Sequence, residues 1–148
     1  MEPNIKTKTA FTVVGMEYNG KNENDEIAQL WQQFVPRMKE VQHVVNPNAS
    51  YGICGDAQED GSFRYVAGYE VSSTEDIPEG MTSWIVPEQK YAVLPGTLKT
   101  IGETYKYIFE TWLPQSQYEY AHGPDFEYYG EDFDPGGEEK LYIYVPIK

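Results

Sequence analysis

The stretch Leu30-Trp31-Gln32-Gln33-Phe34-Val35-Pro36 decides how the chain is interpreted, because Ile108-Phe109-Glu110-Thr111-Trp112-Leu113-Pro114 repeats its pattern. In both stretches large apolar residues are spaced as on one face of a helix, and a proline follows. Proline kinks or ends a regular helix because it has no backbone N–H to donate. The two stretches therefore predict two helix ends at equivalent positions of an internal repeat.

The segments around these two helices match in the same order. A short apolar strand is predicted before each helix, and a pair of strands is predicted after it. The order strand, helix, strand, strand is therefore written twice. The strands of the first half are residues 11–14, the residues around Tyr51, and Phe63–Val71; those of the second half are residues 91–94, the residues around Phe126, and residues 141–147.

This order predicts one α+β domain over residues 1–148, with repeats at about 1–72 and about 84–148. Antiparallel half-sheets related by a pseudo-twofold axis would carry two long helices on one face. Two half-cores that meet without merging leave a cleft, and clefts of this kind are common ligand sites. We therefore expect a duplicated β-α-β-β fold with a ligand cleft between the repeats.

Local signals predict where several elements begin and end. The first strand is expected over about residues 8–18, and Asn24 or Asp25 is suited to cap the first helix. Asp60-Gly61 is typical of a hairpin turn. Thr97 is suited to cap the second helix.

Charge narrows the classes of partner. The 148 residues include 24 acidic and 11 basic side chains, for a net charge of −13. Nucleic-acid binders carry a basic patch, and anionic lipid attracts basic segments, so we expect no direct binding of nucleic acid or membrane. A negative field attracts cations, which keeps a cationic ligand or partner open.

Residues for metal or covalent chemistry are few. The single cysteine, Cys54, excludes an internal disulfide, and His43 and His122 lie far apart in the sequence. Glycine-rich phosphate loops and a serine nucleophile motif are absent from the sequence. We therefore predict no metal and no cofactor.

No stretch approaches the roughly 20 apolar residues that span a bilayer. Residues 1–8 lack the apolar core of a signal peptide. These two observations predict a cytoplasmic protein.

The segment Asp125-Phe126-Glu127-Tyr128-Tyr129 is the most informative for function. Strand alternation puts Glu127 and Tyr129 on one face and the other two aromatic residues on the opposite face. One interpretation is an edge strand with Glu127 in water. The other is a carboxylate at the floor of an aromatic pocket, where a cation would offset the cost of burial and aromatic faces would add cation–π attraction.

Further aromatic residues are candidates for the wall of this pocket. Tyr142 and Tyr144 share one face of the last strand, which lies either in solvent or along the cleft. The other wall candidates are Tyr51, Tyr65, Tyr105 and Trp84. For each of them a place in the core or at its rim remains open.

Several segments together resemble the GyrI-like, or AraC-type, effector-binding domains, which bind small molecules. The resemblance covers nearly the whole chain. It rests on the segments Phe63-Arg64-Tyr65-Val66-Ala67-Gly68-Tyr69-Glu70-Val71, Ile85-Val86-Pro87, Tyr91-Ala92-Val93-Leu94-Pro95-Gly96, residues 105–114, Phe126-Glu127-Tyr128-Tyr129, and Leu141-Tyr142-Ile143-Tyr144-Val145-Pro146-Ile147.

This resemblance implies that Glu127 corresponds to the buried pocket glutamate of the family, with Tyr105 and Tyr142 beside the ligand. In members that bind lipophilic cations, that carboxylate pairs with the positive charge. Regulators of the family attach the domain to a helix-turn-helix module. This sequence shows no such module, so we expect a stand-alone ligand-binding domain.

Three functions follow as expectations. The first is binding of lipophilic, cationic or aromatic small molecules in a tyrosine-rich cleft with Glu127 at its base, for drug sensing or sequestration. The second, implied by other members of the family, is hydrolysis of electrophilic cyclopropane toxins with Glu127 as general base. The third, also implied by the family, is regulation of a protein partner such as gyrase through the acidic surface.

Overall fold

The first helix ends at its proline, as the sequence predicts. The computed structural model describes residues 2–131, 133–134, 137 and 139–148. Helix α1 runs over Glu26–Phe34, and Val35–Glu40, which includes Pro36, continues as a 3₁₀ segment. Asp25 is the N-cap residue of α1, at one of the two predicted positions, but it has a left-handed conformation and its side chain makes no capping hydrogen bond. The side chain of Asn22 takes that role, because its Oδ1 accepts the N–H of Ile27 at 3.1 Å.

The second helical segment is longer and changes type along its length. It begins with a 3₁₀ turn, Leu98–Thr100, and helix α2, Ile101–Lys106. A π-helical turn, Tyr107–Trp112, then leads into α3, Leu113–Gln115, so the segment ends one residue after Pro114. Thr97 and Thr100 cap its start reciprocally, which confirms the predicted threonine cap.

Eight antiparallel strands form one sheet, in the order β1-β6-β8-β7-β3-β4-β2-β5. The α+β class, the antiparallel sheet and the two helical segments predicted from the repeat are confirmed. The strands are β1 Asn4–Lys8, β2 Phe11–Gly20, β3 Ser50–Gly55, β4 Phe63–Val71, β5 Thr82–Val86, β6 Gln89–Thr97, β7 Asp125–Tyr129 and β8 Lys140–Ile147.

The strand order is the same when read from either edge toward the central pair of β7 and β3. Strands β2, β3 and β4 of the first half mirror β6, β7 and β8 of the second. The outermost strands are exchanged: β1, from the first half, pairs with β6, and β5, which precedes β6, pairs with β2. Each half therefore covers an edge of the other.

Strand β1 is an element that the sequence analysis missed. The strand expected over about residues 8–18 corresponds to β2, which Thr9 and Ala10 separate from β1. Four of the five residues of β1 are exposed, and the segment Asn4-Ile5-Lys6-Thr7-Lys8 is mostly polar. An edge strand of this kind has little of the apolar alternation that marks a half-buried strand. The predicted turn at Asp60-Gly61 lies between β3 and β4, which pair antiparallel, so that prediction is confirmed.

Two apolar clusters cover the face of the sheet that carries the helices. One packs α1 against β2 and β4 and contains Leu30, Phe34 and Tyr65. The other packs the second helical segment against β6 and β8 and contains Ile108 and Leu141. The two helical segments thus each cover one half of the sheet. None of the helices in the described part of the chain is long and apolar enough to cross a membrane.

The opposite face of the sheet carries a third, aromatic cluster. Phe126 is fully buried in it, and its ring is stacked on Tyr144 with centroids 4.5 Å apart. Phe11, Tyr51 and Tyr91 contact the same ring in tilted or edge-to-face arrangements. Because Phe11 and Phe126 lie on strands separated by two others, the sheet must curl to bring these rings together.

We expect Phe126→Ala to lower the free energy of unfolding by about 3–5 kcal/mol, because it removes a ring that contacts four others and leaves a cavity. Phe109→Ala is the matched control, since Phe109 is 36% exposed on the second helical segment. Urea denaturation of both variants measures the difference. Equal losses in the two variants would contradict this account of the core.

Candidate functional site

Glu127 is a buried carboxylate at the centre of the sheet. Only 8% of the residue is exposed. It lies on β7, whose alternation points Glu127 toward the helices while Phe126 and Tyr128 join the aromatic cluster on the other face. Since β7 pairs with β3 at the junction of the two halves, Glu127 lies at the seam between the two helix-side clusters.

Three tyrosine hydroxyls donate hydrogen bonds to this carboxylate. Tyr65 and Tyr129 each donate to Oε1 at 3.0 Å, and Tyr105 donates to Oε2 at 3.4 Å. The indole Nε1 of Trp31 donates in turn to the hydroxyl of Tyr65 at 2.9 Å. The cage of Glu127 is defined here as these four aromatic residues. It draws on α1, β4, α2 and β7, so both halves of the chain contribute.

Gly52 makes room for this arrangement. It lies directly opposite Glu127 in the register of β3 and β7. A Cβ atom at position 52 would collide with the hydroxyl of Tyr65 and would lie 2.9 Å from Oε1 of Glu127. A side chain at position 52 is therefore incompatible with the hydrogen bond between Tyr65 and Glu127.

Burial shifts the protonation equilibrium of Glu127. Loss of solvent raises its pKa above the ordinary value, because the ionised form is penalised, while the three tyrosine hydroxyls favour the carboxylate and oppose the rise. Among the described residues, no lysine, arginine or histidine forms an ion pair with Glu127. Within the described part of the chain, the carboxylate therefore has three hydroxyl donors and no countercharge.

A second carboxyl group lies next to the first. Asp125 shares the helix-facing side of β7 with Glu127 and pairs in register with Cys54 of β3. Burial, and secondly the charge of Glu127, raise the pKa of Asp125 to about 7, although a hydrogen bond from Cys54 opposes the rise. Burial also raises the pKa of the Cys54 thiol, so the thiolate needed for nucleophilic chemistry is disfavoured.

The site is suited to receive positive charge. Two neighbouring carboxyl groups in a poorly solvated setting ionise more readily when a cation approaches. The rings of the cage offer faces and edges to an apolar body, and Trp31 and Tyr129 already pack edge to face at 5.2 Å. In the part of the chain that the structure describes, no three His, Cys, Asp or Glu side chains group as a metal site would require.

A shallow depression of about 170 Å³ lies beside the cage. Tyr129 lines it, together with Met38, Ser50, Tyr69 and Phe133. Tyr129 therefore contacts the buried carboxylate through its hydroxyl and also borders the depression.

The structure brings together three of the six residues singled out from the sequence, Glu127, Tyr65 and Tyr105. The other three lie on the opposite face of the sheet. Tyr51 donates to Oε1 of Glu70 at 3.1 Å, and Trp84 lies under the guanidinium of Arg64 at 4.3 Å. Tyr142 packs against the aromatic cluster of that face, so these three do not reach Glu127.

Trp31, Tyr129, Asp125 and Cys54 were not singled out as site residues. Strand alternation from Glu127 carries a signal for Tyr129 and Asp125, which lie two residues to either side. The sequence pattern predicts a core position for Trp31, because helical periodicity does not indicate where the indole N–H points. Cys54 reaches the site through its pairing with Asp125, which no local pattern encodes.

Comparisons with known proteins agree with this fold. The family model described as Cass2, integron-associated effector binding protein, matches residues 4–147. The transcriptional regulator BrlR of Pseudomonas aeruginosa is 44% identical over 149 residues, which cover 97% of this chain and 55% of the regulator. The chain thus spans about half the length of this curated relative.

Two solved structures share the fold at low sequence identity. SAV2435, solved with bound tetraphenylphosphonium, aligns with a TM-score of 0.77 and 21% identity, over 100% of this chain and 94% of its own. An integron cassette protein from the mobile metagenome of Vibrio cholerae aligns with a TM-score of 0.70 and 18% identity, over 100% and 97%. The family model matches almost every residue, which confirms the predicted resemblance to GyrI-like effector-binding domains. The chain therefore belongs to the Cass2 family of effector-binding proteins.

Proposed function

We propose that this domain binds lipophilic cations with their positive charge at Glu127. The observation that carries the proposal is a buried carboxylate with three hydroxyl donors and, among the described residues, no basic partner. Burial of an unpaired charge is costly, and a bound cation offsets that cost. The apolar body of the ligand would pack on the rings of the cage and extend into the depression beside Tyr129.

The comparisons support this direction. SAV2435 was solved with tetraphenylphosphonium, a lipophilic cation. BrlR is a transcriptional regulator whose length this chain covers by 55%. We therefore propose that the domain serves as the ligand-sensing part of a regulatory response. Because the site lies at the seam, a bound ligand would contact both halves of the chain.

Calorimetric titration with tetraphenylphosphonium tests the proposal. We expect Glu127→Gln to weaken binding at least tenfold, because glutamine keeps the shape of the side chain and removes its charge. Coulomb attraction between charges about 4 Å apart is worth about 4 kcal/mol at an effective dielectric constant near 20, and desolvation takes part of it back.

Glu119→Gln is the matched control, since Glu119 is exposed and its loss changes the net charge equally. Tetraphenylborate, which has the same shape and the opposite charge, should bind neither protein. Equal affinities of wild type and Glu127→Gln for the phosphonium would refute the assignment of Glu127, and binding of both ions would refute the role of charge.

The affinity for tetraphenylphosphonium should rise with pH. Because burial raises the pKa of Glu127 above its ordinary 4.5, part of the carboxyl is protonated above that pH, and the cation must displace the proton. We expect the affinity to increase by up to tenfold per pH unit and to level off once the carboxyl is ionised. A flat profile from pH 4.5 to 8 for wild type would contradict the raised pKa.

The stability of the unliganded protein provides a separate check. A carboxyl whose pKa is raised by folding contributes stability that is present below its unfolded pKa, near 4.5, and is lost as the pH rises through the folded pKa. Glutamine has no such loss. In urea denaturation, the free energy of unfolding of Glu127→Gln should therefore increase relative to that of wild type as the pH rises. The expected increase is on the order of 1 kcal/mol for each unit of pKa shift. A difference that is constant with pH would argue against a strained charge at this site.

A further inference from the structure

We propose that the site selects cations that carry N–H donors, such as protonated amines and amidines, over quaternary cations of the same shape, and that Asp125 is the second acceptor for those donors. This inference rests on the proposed function, because it specifies the class of cation that Glu127 would receive. It goes beyond a charge requirement, which any lipophilic cation satisfies.

The two oxygens of Glu127 are unequally occupied. Oε1 accepts two hydrogen bonds at 3.0 Å, from Tyr65 and Tyr129. Oε2 accepts one, from Tyr105, at 3.4 Å, which is long for a bond between a hydroxyl and a carboxylate. A carboxylate oxygen can accept two strong bonds, so Oε2 retains capacity for a donor that the cage does not supply.

Asp125 lies near Tyr105, the residue whose hydroxyl donates to Oε2. It precedes Glu127 by two residues on the same face of β7, about 7 Å away along a strand that rises about 3.3 Å per residue. The charges of both carboxyl groups act on the hydroxyl of Tyr105, and the effect of Asp125 is larger than that of Glu127. The thiol of Cys54, a weak donor, donates a hydrogen bond to Asp125.

An ammonium or amidinium group could use both acceptors. Such a group has two or more N–H donors and can bridge two carboxylates with short, charge-assisted hydrogen bonds. A quaternary ammonium or a phosphonium has no donor, so it gains from Coulomb attraction and ring faces alone. The difference between the two classes of cation therefore depends on Asp125, whereas Glu127 serves both.

Protonation agrees with this division of roles. Because the pKa of Asp125 is raised to about 7, the group is partly protonated at neutral pH and does not act as a full charge in the empty site. A donor cation that bridges both carboxylates ionises Asp125 on binding and releases its proton to solvent. The groups that face the pair are Cys54, Tyr65, Tyr105, Tyr120 and Tyr129, and burial raises the pKa of each, so at pH 7 the released proton comes from the carboxyl groups.

The test compares two ligands with the same ring system and charge, pyren-1-ylmethylammonium and its N,N,N-trimethyl analogue, in which methyl groups replace the N–H donors. Tetraphenylphosphonium is the third ligand. Calorimetry at pH 7 with wild type should show the ammonium binding at least tenfold tighter than the trimethyl analogue. In Asp125→Asn the preference should fall to less than threefold, because the ammonium loses more affinity than the trimethyl analogue and tetraphenylphosphonium do. Asp76→Asn, in an exposed loop, should behave as wild type.

Two results would overturn the inference and leave the proposed function intact. One is equal or tighter binding of the trimethyl analogue by wild type, and the other is an equal loss for both pyrene ligands in Asp125→Asn. If none of the three cations binds wild type, the proposed function fails and this inference fails with it.

A second readout needs no variant, so a folding defect in Asp125→Asn cannot mask the answer. Titrations of wild type in two buffers with different ionisation enthalpies give the number of protons released. The ammonium should release more protons at pH 7 than the trimethyl analogue does. Equal release by the two ligands would show that Asp125 does not ionise against the donor, and would overturn the inference.

Discussion

The pairing of β3 with β7 is the constraint on which the rest of the structure depends. It joins the halves into one sheet, and its register sets Gly52 opposite Glu127. A glycine there leaves space on the helix side of the sheet, and the hydroxyl of Tyr65 uses that space to reach the carboxylate. Because each helical segment covers its own half, the two helix-side clusters meet at this central pair, and the seam is where a polar group can be kept between apolar clusters.

The energetics of Glu127 are a balance of opposing effects rather than a single strong bond. Burial penalises its ionised form, and three hydroxyl donors reduce the penalty without removing it. Hydroxyls donate hydrogen bonds but carry no positive charge, so the charge of the carboxylate is not neutralised although its polar atoms have partners. A lysine in place of one tyrosine would neutralise that charge permanently and would leave nothing for a ligand to supply. The tyrosine composition of the cage is therefore what keeps the site available.

Much of this could be read from the sequence, and the failures have physical causes. Helical periodicity and strand alternation predicted the repeat and the face that Glu127 shares with Tyr129, because both are local properties of the backbone. They left open whether that face lies in water or in a pocket. The wall of the site was harder, since both faces of the central strands carry large aromatic residues. Tyr51, Tyr142 and Trp84 therefore looked as suitable as Tyr65 and Tyr105. Trp31 contacts a residue 34 positions away through one N–H, a detail that depends on the approach of α1 to β4 and has no signature in spacing.

The central register also bears on why two similar halves occur in one chain. If the halves were separate, identical subunits related by a twofold axis between β3 and β7, every residue near the seam would occur twice, once from each subunit. A glutamate near the axis would then have a symmetry-related twin, and two like charges would lie close together in a dry setting. Covalent fusion lifts this restriction, because each copy can then diverge. One glutamate opposite a glycine, without a twin, is an asymmetry that a homodimer cannot have, and it lets one molecule of ligand, itself without symmetry, be held in one orientation.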